Sequence, residues 1–332
     1  MLAKSPDKPG IPVEMHLDSG VKDVDPHSAS VTLANGTVVT GDLVLGADGV
    51  RSVCRQKVEG GNVKPFGSGK NAFRFLIERK AAADDPATKH FVENPGELIM
   101  WYGTDRRVVM YPTSNNTLLN FVCIHPESES EGGADWTTDA HKDAMLRVYK
   151  DLDPACISLI SKADPASLKS WKLLDMDVLP TWTNDRLALL GDAAHPFLPH
   201  QGQGAGVAME DAAALATVLE RSLPREEVPA RLKLYESIRY ERANRIQEYS
   251  RLAGADLKSG VKMDSRSMHT ILKSLLISFQ WSSIPTTILD MMNLTILHNA
   301  FASGSGRKRH RYTGVCPLRL DRCQDQGSRT PV

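Results

Sequence analysis

Two stretches of this sequence place a carboxylate just beyond a short apolar run. In DLVLGADGVRS, Asp42 to Ser52, Asp48 and Gly49 follow LVLGA. In RLALLGDAAHPFLPHQGQGAGVAMEDAAALATVL, Arg186 to Leu219, Asp192 follows LALLG, and the glycine-rich GQGAG, Gly202 to Gly206, leads into a helical pattern. An unbroken apolar run reads as a central parallel strand, covered on both faces. Ligands of open α/β sheets bind beyond the carboxyl ends of such strands. A carboxylate there accepts hydrogen bonds from a ligand's hydroxyls, and glycine lets a bulky group approach the main chain. A helix N-terminus adds unpaired N–H groups and positive partial charge, which suit an anion or the electron-rich edge of a ring. Arg51 or Arg55 is placed to reach a phosphate or to pair with Asp48. An ordinary Asp-Gly turn explains the first stretch equally well. A structural glycine-rich turn explains the second helix but not Asp192.

The elements that must position these groups interleave along the chain. Residues 13–58 read as strands: VEMHL, then SVTLANGTVVTGD with an Asn35-Gly36 hairpin signal, then LVLGA. AFRFLIE, ELIMWYG, RRVVMYP and TLLNFVCI predict a second, largely antiparallel sheet between Pro65 and Ile124. Residues 139–152 carry Met145, Val148, Tyr149 and Leu152 at helical spacing, and Asp153-Pro154 caps a further short helix. After Trp182 the chain returns to the first domain with the strand RLALLG and a helix from Gly206 to Arg221. That helix reads as apolar nearly all round and hence buried, with Glu210 and Asp211 near its N-terminal dipole. A long charged helix follows over Ala230 to Ala253, with Leu232, Tyr235, Ile238, Ile246, Tyr249 and Ala253 on one face.

Composition narrows the function classes. The chain has 332 residues, and Lys plus Arg balance Asp plus Glu at 40 each, so no global charge directs it to nucleic acid or acidic lipid. A small-molecule partner is expected. The cysteines Cys54, Cys123, Cys156, Cys316 and Cys323 show neither ligand spacing nor an even count, which argues against a zinc site or disulfide framework. The N-terminus lacks a signal-peptide apolar region, and Lys273, Gln280, Pro285, Asp290 and Asn293 interrupt the apolar segment 271–301. A cytoplasmic location is expected, with peripheral membrane attachment as an alternative. The tail 303–332, with its RKRHR patch, reads as a solvated charged segment without periodicity.

Together, GADGVRS and GDAAHPFLPHQGQGAGVAMEDA, in this order and about 145 residues apart, closely resemble the paired motifs of the class A FAD-dependent aromatic hydroxylases, the salicylate-hydroxylase-like flavoprotein monooxygenases. The resemblance extends through Arg74, Tyr111-Pro112, Trp182 and SRLAG, over about residues 13–300. It implies an α/β fold in which a glutathione-reductase-like FAD-binding domain is interleaved with a substrate domain. The FAD-binding parts would be residues 1–62 and 181–224, the substrate-domain sheet and helices 63–180, and a C-terminal helical region 225–302. Asp192 would bind the flavin ribityl hydroxyls, with Asp48, Gly49 and Arg51 near the same chain and the pyrophosphate. Gly202, Gln203, Gly204, Ala205 and Gly206 would face the flavin edge. Pro199 would line the ring and substrate cavity, while Arg74 and Tyr111 would come from the sheet that roofs it. His195 and His200 read as packing or hydrogen-bonding residues. The activity implied is hydroxylation of a small aromatic or otherwise electron-rich substrate by dioxygen and NAD(P)H, through a flavin hydroperoxide.

The sequence departs from the family in two places. Val207 stands where related motifs often carry Asn or Gln, and no GxGxxG links a strand to a helix near the N-terminus. GSGKNA at Gly67 is a decoy, because it precedes a strand instead of following one. The FAD-binding domain therefore reads as N-terminally truncated. The alternative function is that of a truncated non-catalytic relative, a binding or regulatory protein without stably bound flavin.

Overall fold

The computed structural model describes residues 14–130, 140–220 and 223–256. The strands are β1 (Val21–Asp25), β2 (Ser30–Leu33), β3 (Val38–Thr40), β4 (Val44–Gly46), β5 (Phe66–Glu78), β6 (Ile99–Tyr102), β7 (Arg107–Thr113), β8 (Leu118–Pro126), β9 (Lys169–Asp175), β10 (Thr183–Asn184) and β11 (Leu187–Leu189). The helices are α1 (Arg79–Ala83), α2 (Lys142–Val148), α3 (Pro154–Ile160), α4 (Gly204–Val218) and α5 (Val228–Ala253). Two compact units result, one from the described residues up to 68 together with 173–255, the other centred on residues 69–172.

In the first unit β4 and β11 pair in parallel, with Val44 opposite Leu187 and Gly46 opposite Leu189. Both carboxyl ends therefore point the same way. Leu187, Ala188 and Leu189 are fully buried, as expected of a strand covered on both faces. The hairpin β2–β3 forms at Asn35-Gly36, where Gly36 adopts φ 86°, a conformation that glycine tolerates without steric cost. VEMHL differs from its strand expectation: Glu14–Leu17 are not in a strand, and Met15 and Leu17 are exposed. The strand instead occupies VKDVD, β1, where Val24 reaches the core.

The helices of this unit correct the sequence reading. Helix α4 begins two residues earlier than expected and buries only Val207, Asp211, Leu215 and Val218, while Met209 is 64% exposed. Its alanines make the composition apolar without demanding burial, because each offers so little surface to hide. Glu210 and Asp211 lie beyond the first turn and serve α5 instead of the helix dipole. Asp211 and Glu210 pair with Arg239, and Glu210 also with Arg242. On α5, Leu232, Tyr235 and Ile246 are buried as expected, but Ile238 is exposed, and Arg239, Gln247 and Ser250 are buried in its stead. Periodicity marks apolar residues and cannot see a polar residue that enters the core with a partner. Helix α5 falls within this compact unit.

In the second unit the strand order is β6-β7-β8-β5-β9. The pairs β6–β7, β7–β8 and β8–β5 are antiparallel, with Phe75 opposite Phe121 and Phe121 opposite Met110. One face, carrying Phe73, Phe75, Ile77, Val108, Met110, Leu119 and Phe121, packs on Met145, Val148 and Tyr149 at α2 and on Cys156, Leu159 and Ile160 of α3. Asp153 caps α3 by accepting from the amides of Ala155 and Cys156. The strand β9, KSWKLLD, carries no clean alternation and was not expected; GSGK lies inside β5. The apolar segment 271–301, the tail 303–332, Cys316 and Cys323 fall outside the described residues. Among those described, no helix is long and apolar enough to cross a membrane, no group of side chains could hold a metal, and Cys54, Cys123 and Cys156 are free thiols.

Candidate functional site: two turns at parallel strand ends

The parallel pairing of β4 and β11 brings Asp48 and Asp192, far apart in sequence, to the same edge of one sheet. Their local settings differ. The Asp48 carboxylate is committed within its own turn: Oδ1 accepts from Ser52 Oγ at 2.5 Å, and Oδ2 from the amides of Val53 and Cys54 at 2.8 and 3.1 Å. Desolvation favours its neutral form, but the hydrogen bonds from Ser52, Cys54 and Val53 outweigh it and hold the pKa below the usual carboxylate value. Gly49, φ 77°, makes the reversal that the turn requires. Arg51 lies exposed beside it.

Asp192 has no such internal role. Its carboxylate is exposed and accepts no hydrogen bond among the described residues, and desolvation by its surroundings raises its pKa against the opposing charges of His195 and Arg55. A carboxylate held at a strand end without an acceptor role among the described residues is available to hydroxyls from outside.

The turn that presents Asp192 is built from behind. Gly191 donates its amide to Asp211 Oδ2 at 3.0 Å, and the same oxygen lies 2.7 Å from His195 Nε2. Asp211 Oδ1 accepts from Arg239 Nε of α5 at 2.9 Å. Burial works against charge on Asp211, yet His195, Arg239 and the Gly191 amide keep its pKa below the usual value. His195 is 1% exposed, with its ring tilted against that of Trp182 at 4.9 Å between centroids, so it supports the turn from within the core. The first turns of α4 lie against this site, since a Cβ on Gly191 would stand 3.2 Å from that of Ala208.

The helix start is open. Helix α4 has no side-chain cap, and the amides of Gln203, Gly204, Ala205 and Gly206 have no acceptor among the described residues. Gly202, expected to contribute as well, donates its amide to Pro199 O at 3.2 Å and adopts φ 63° to end the short turn that Pro199 begins. Its role is to turn the chain into the helix. A Cβ on Gly204 or Gly206 would meet nothing closer than 3.7 Å, so the main chain there is accessible to a flat group. Val207 is fully buried and carries no polar contact from its side chain.

Arg55 joins the two turns. It is 2% exposed and donates to the carbonyls of Gly49, Val50, Asp192 and Ala193. The sequence offered Arg55 only as a partner of phosphate or Asp48; its use as a buried clamp depends on a neighbour 137 positions away.

The second unit places Arg74 and Tyr111 on one sheet face, opposite the buried phenylalanines. Arg74 is exposed and Tyr111 half-buried, and Arg74 Nε donates to Asn120 Oδ1 at 3.2 Å. Asn120, which pairs with Tyr111 across β7 and β8, is 2% exposed with its Nδ2 unsatisfied. A lone Asn in TLLNFVCI gives no sequence signal for this.

Residues 2–250 match the family described as "FAD binding domain". The chain belongs to the FAD-dependent aromatic hydroxylase family of flavoproteins. It is 36% identical to the FAD-dependent monooxygenase cfoG of Aspergillus candidus, over 77% of this chain and 60% of that protein. It is 34% identical to hispidin-3-hydroxylase of Neonothopanus nambi, over 73% and 60% of the respective lengths. The solved salicylate hydroxylase substrate complex superposes with TM-score 0.65 at 27% identity, covering 81% of this chain and 69% of that one. The flavoprotein thus spans about 60% of the length of these curated relatives.

Proposed function

We propose that this chain carries the flavin-ring site of an FAD-dependent monooxygenase that uses NAD(P)H and dioxygen to hydroxylate a small aromatic or other electron-rich substrate. The observation that carries this reading is the conjunction of a free Asp192 carboxylate with the uncapped amides of Gln203 to Gly206. The first suits a polyol chain and the second suits the electron-rich edge of a flat ring. The residues present therefore fit FAD.

In this reading Asp192 accepts from the ribityl hydroxyls, and the α4 amides face the ring edge that gains negative charge on reduction. Gly204 and Gly206 permit the close approach, and Pro199 lines the site. Asp48 and Gly49 shape the first turn, and exposed Arg51 is the candidate for phosphate. Arg74 and Tyr111 are candidate substrate contacts. When bound, FAD supplies hydride acceptance and dioxygen activation; the chain's own residues bind it, orient it and hold its charge.

Flavin titration followed by fluorescence tests the proposal: wild-type chain should quench flavin emission saturably, and Asp192→Ala should weaken that binding. Equal affinity after the substitution would remove Asp192 from the site. Substrate-stimulated NAD(P)H oxidation by the flavin-loaded protein tests the activity.

A second reading, a relative without stably bound flavin, is favoured by β4. It is an edge strand that pairs only with β11 among the described residues, and Leu45 on it is 45% exposed. Absence of flavin binding by the wild-type chain would support that reading over the first.

A further inference from the structure

We propose that Asn120 is a specificity-determining residue, whose side-chain Nδ2 donates to a hydrogen-bond acceptor carried by the substrate ring. The inference rests on the hydroxylase reading above and narrows its substrate class to rings that bear a carbonyl, carboxylate or phenolate oxygen.

On β8 the side chains of Leu119 and Phe121 enter the core of the second unit. Strand alternation therefore puts Asn120 on the opposite sheet face. Leu76 of β5 and Tyr111 of β7 stand directly across from it. Arg74 Nε, a group that can only donate, lies 3.2 Å from Asn120 Oδ1. This contact sets the orientation of the amide, because the reversed amide would bring two donors together. Nδ2 is thus turned away from Arg74, and it has no partner among the described residues.

Asn120 is 2% exposed, and a buried donor without a partner costs stability. Holding Arg74 needs an acceptor oxygen only; it does not need the buried donor beside it. The same face offers more unengaged polar groups. Arg74 is exposed and makes no hydrogen bond through Nη1 or Nη2 among the described residues, and the Tyr111 hydroxyl makes none either. Val122 and Val109, paired with each other across β8 and β7, supply apolar surface next to them. A flat ring can lie on that surface while an oxygen attached to it meets the amide. Leu76 is 40% exposed and Arg74 is exposed too, so rotation of these side chains, fast at a surface, opens Nδ2 to an entering ring.

Acetophenone and ethylbenzene test this contact, because they are rings of similar shape that differ by one carbonyl oxygen. Their affinities for the full chain are measured by ligand-detected NMR, with and without added FAD, for wild type, Asn120→Leu and Asn120→Asp. Wild type should prefer acetophenone by up to about tenfold, the range of one hydrogen bond. Both variants should lose that preference, and Asn120→Leu should bind ethylbenzene as wild type does. Asn120→Asp keeps an oxygen for Arg74, so it separates loss of the donor from loss of the Arg74 contact and guards against a folding failure of Asn120→Leu. In wild type carrying isotope-labelled asparagine, the Asn120 side-chain amide signal, identified by its absence from Asn120→Asp, should shift downfield with acetophenone and not with ethylbenzene.

Binding of neither ring, equal binding of both by wild type, or a preference that survives Asn120→Asp would overturn the inference. So would an amide signal that ignores acetophenone, the result expected if a resident water satisfies Nδ2. The flavin titration described above reads the cofactor separately. An intact acetophenone preference without flavin binding would remove FAD and keep the ring contact, whereas flavin binding without the preference would remove Asn120 alone.

Discussion

The GADG and GDA turns begin from the same plan, a short apolar strand ending in glycine and aspartate, yet their carboxylates are used in opposite ways. Asp48 closes its turn by accepting from Ser52, Val53 and Cys54. Asp192 accepts nothing among the described residues and is held out by a turn that Asp211 fixes from behind. The difference separates a residue that builds the site from one that the site presents. A carboxylate can be satisfied locally or be available to a ligand, and a shared pattern of apolar strand, glycine and aspartate does not decide which.

The largest expected effect probes the support behind the second turn. Asp211→Ala leaves Arg239 buried beside an empty space and removes the acceptor of Gly191 and His195, so unfolding stability should fall by about 3–5 kcal/mol, measured by denaturant titration. A loss below about 1 kcal/mol would mean that the GDA turn is held by other contacts.

Asp48→Ala sharpens the comparison from the other side. It removes an acceptor of three hydrogen bonds, and stability should drop by about 1.5–3 kcal/mol. Asp192→Ala should leave stability of the flavin-free protein within about 0.5 kcal/mol of wild type. Its effect belongs to the ligand: flavin affinity should fall roughly tenfold to a hundredfold, equivalent to about 1.5–3 kcal/mol. An interchange of these two phenotypes would reverse the assignment of the turns.

The pH dependence should carry opposite signs. The folded-state pKa of Asp48 is depressed, so its contribution is present above the unfolded value of about 3.9 and is lost as pH falls through the folded value. That of Asp192 is raised, so it costs stability as pH rises from about 3.9 through the folded value. Compared with wild type, Asp48→Ala should flatten acid destabilisation below pH 4, and Asp192→Asn should slightly stabilise the flavin-free protein above it. Thermal unfolding across pH 3–7 distinguishes the two.

The smallest effect on folding is expected at Gly204. An alanine Cβ there would meet Phe197 at 3.7 Å, an ordinary contact, and alanine is a better helix former by about 1 kcal/mol. Gly204→Ala should therefore maintain or raise Tm while weakening flavin binding several-fold, because the added methyl occupies the approach to the main chain. Unchanged flavin affinity would place the ring away from Gly204.

Several of these features were legible in the sequence for physical reasons. LALLG had to be a covered strand because nothing in it tolerates water, whereas LVLGA, read as a central strand, forms an edge strand among the described residues with Leu45 45% exposed; Asn35-Gly36 had to turn because glycine accepts positive φ there. Asp153-Pro154 had to start a helix because one side chain caps while the other needs no donor. The four runs that became β5 to β8 declared themselves by β-rich composition. Asp192 and GQGAG identified the ligand end of the first unit, because their chemistry is unusual for a turn that only reverses the chain.

Tertiary structure decided the rest. Whether Asp48 is occupied or free depends on where the Ser52 hydroxyl and the amides of Val53 and Cys54 fold back. The burial of Arg55, Arg239 and Asp211 against the rule that charges face water depends on partners brought together from far along the chain. Helix α4 looked buried because it is apolar, but alanine surface is too small to force burial, so packing determined its exposed side. Local pattern fixes backbone conformation and the sign of a residue's chemistry; only the folded chain determines which polar groups find each other and which is left for a ligand.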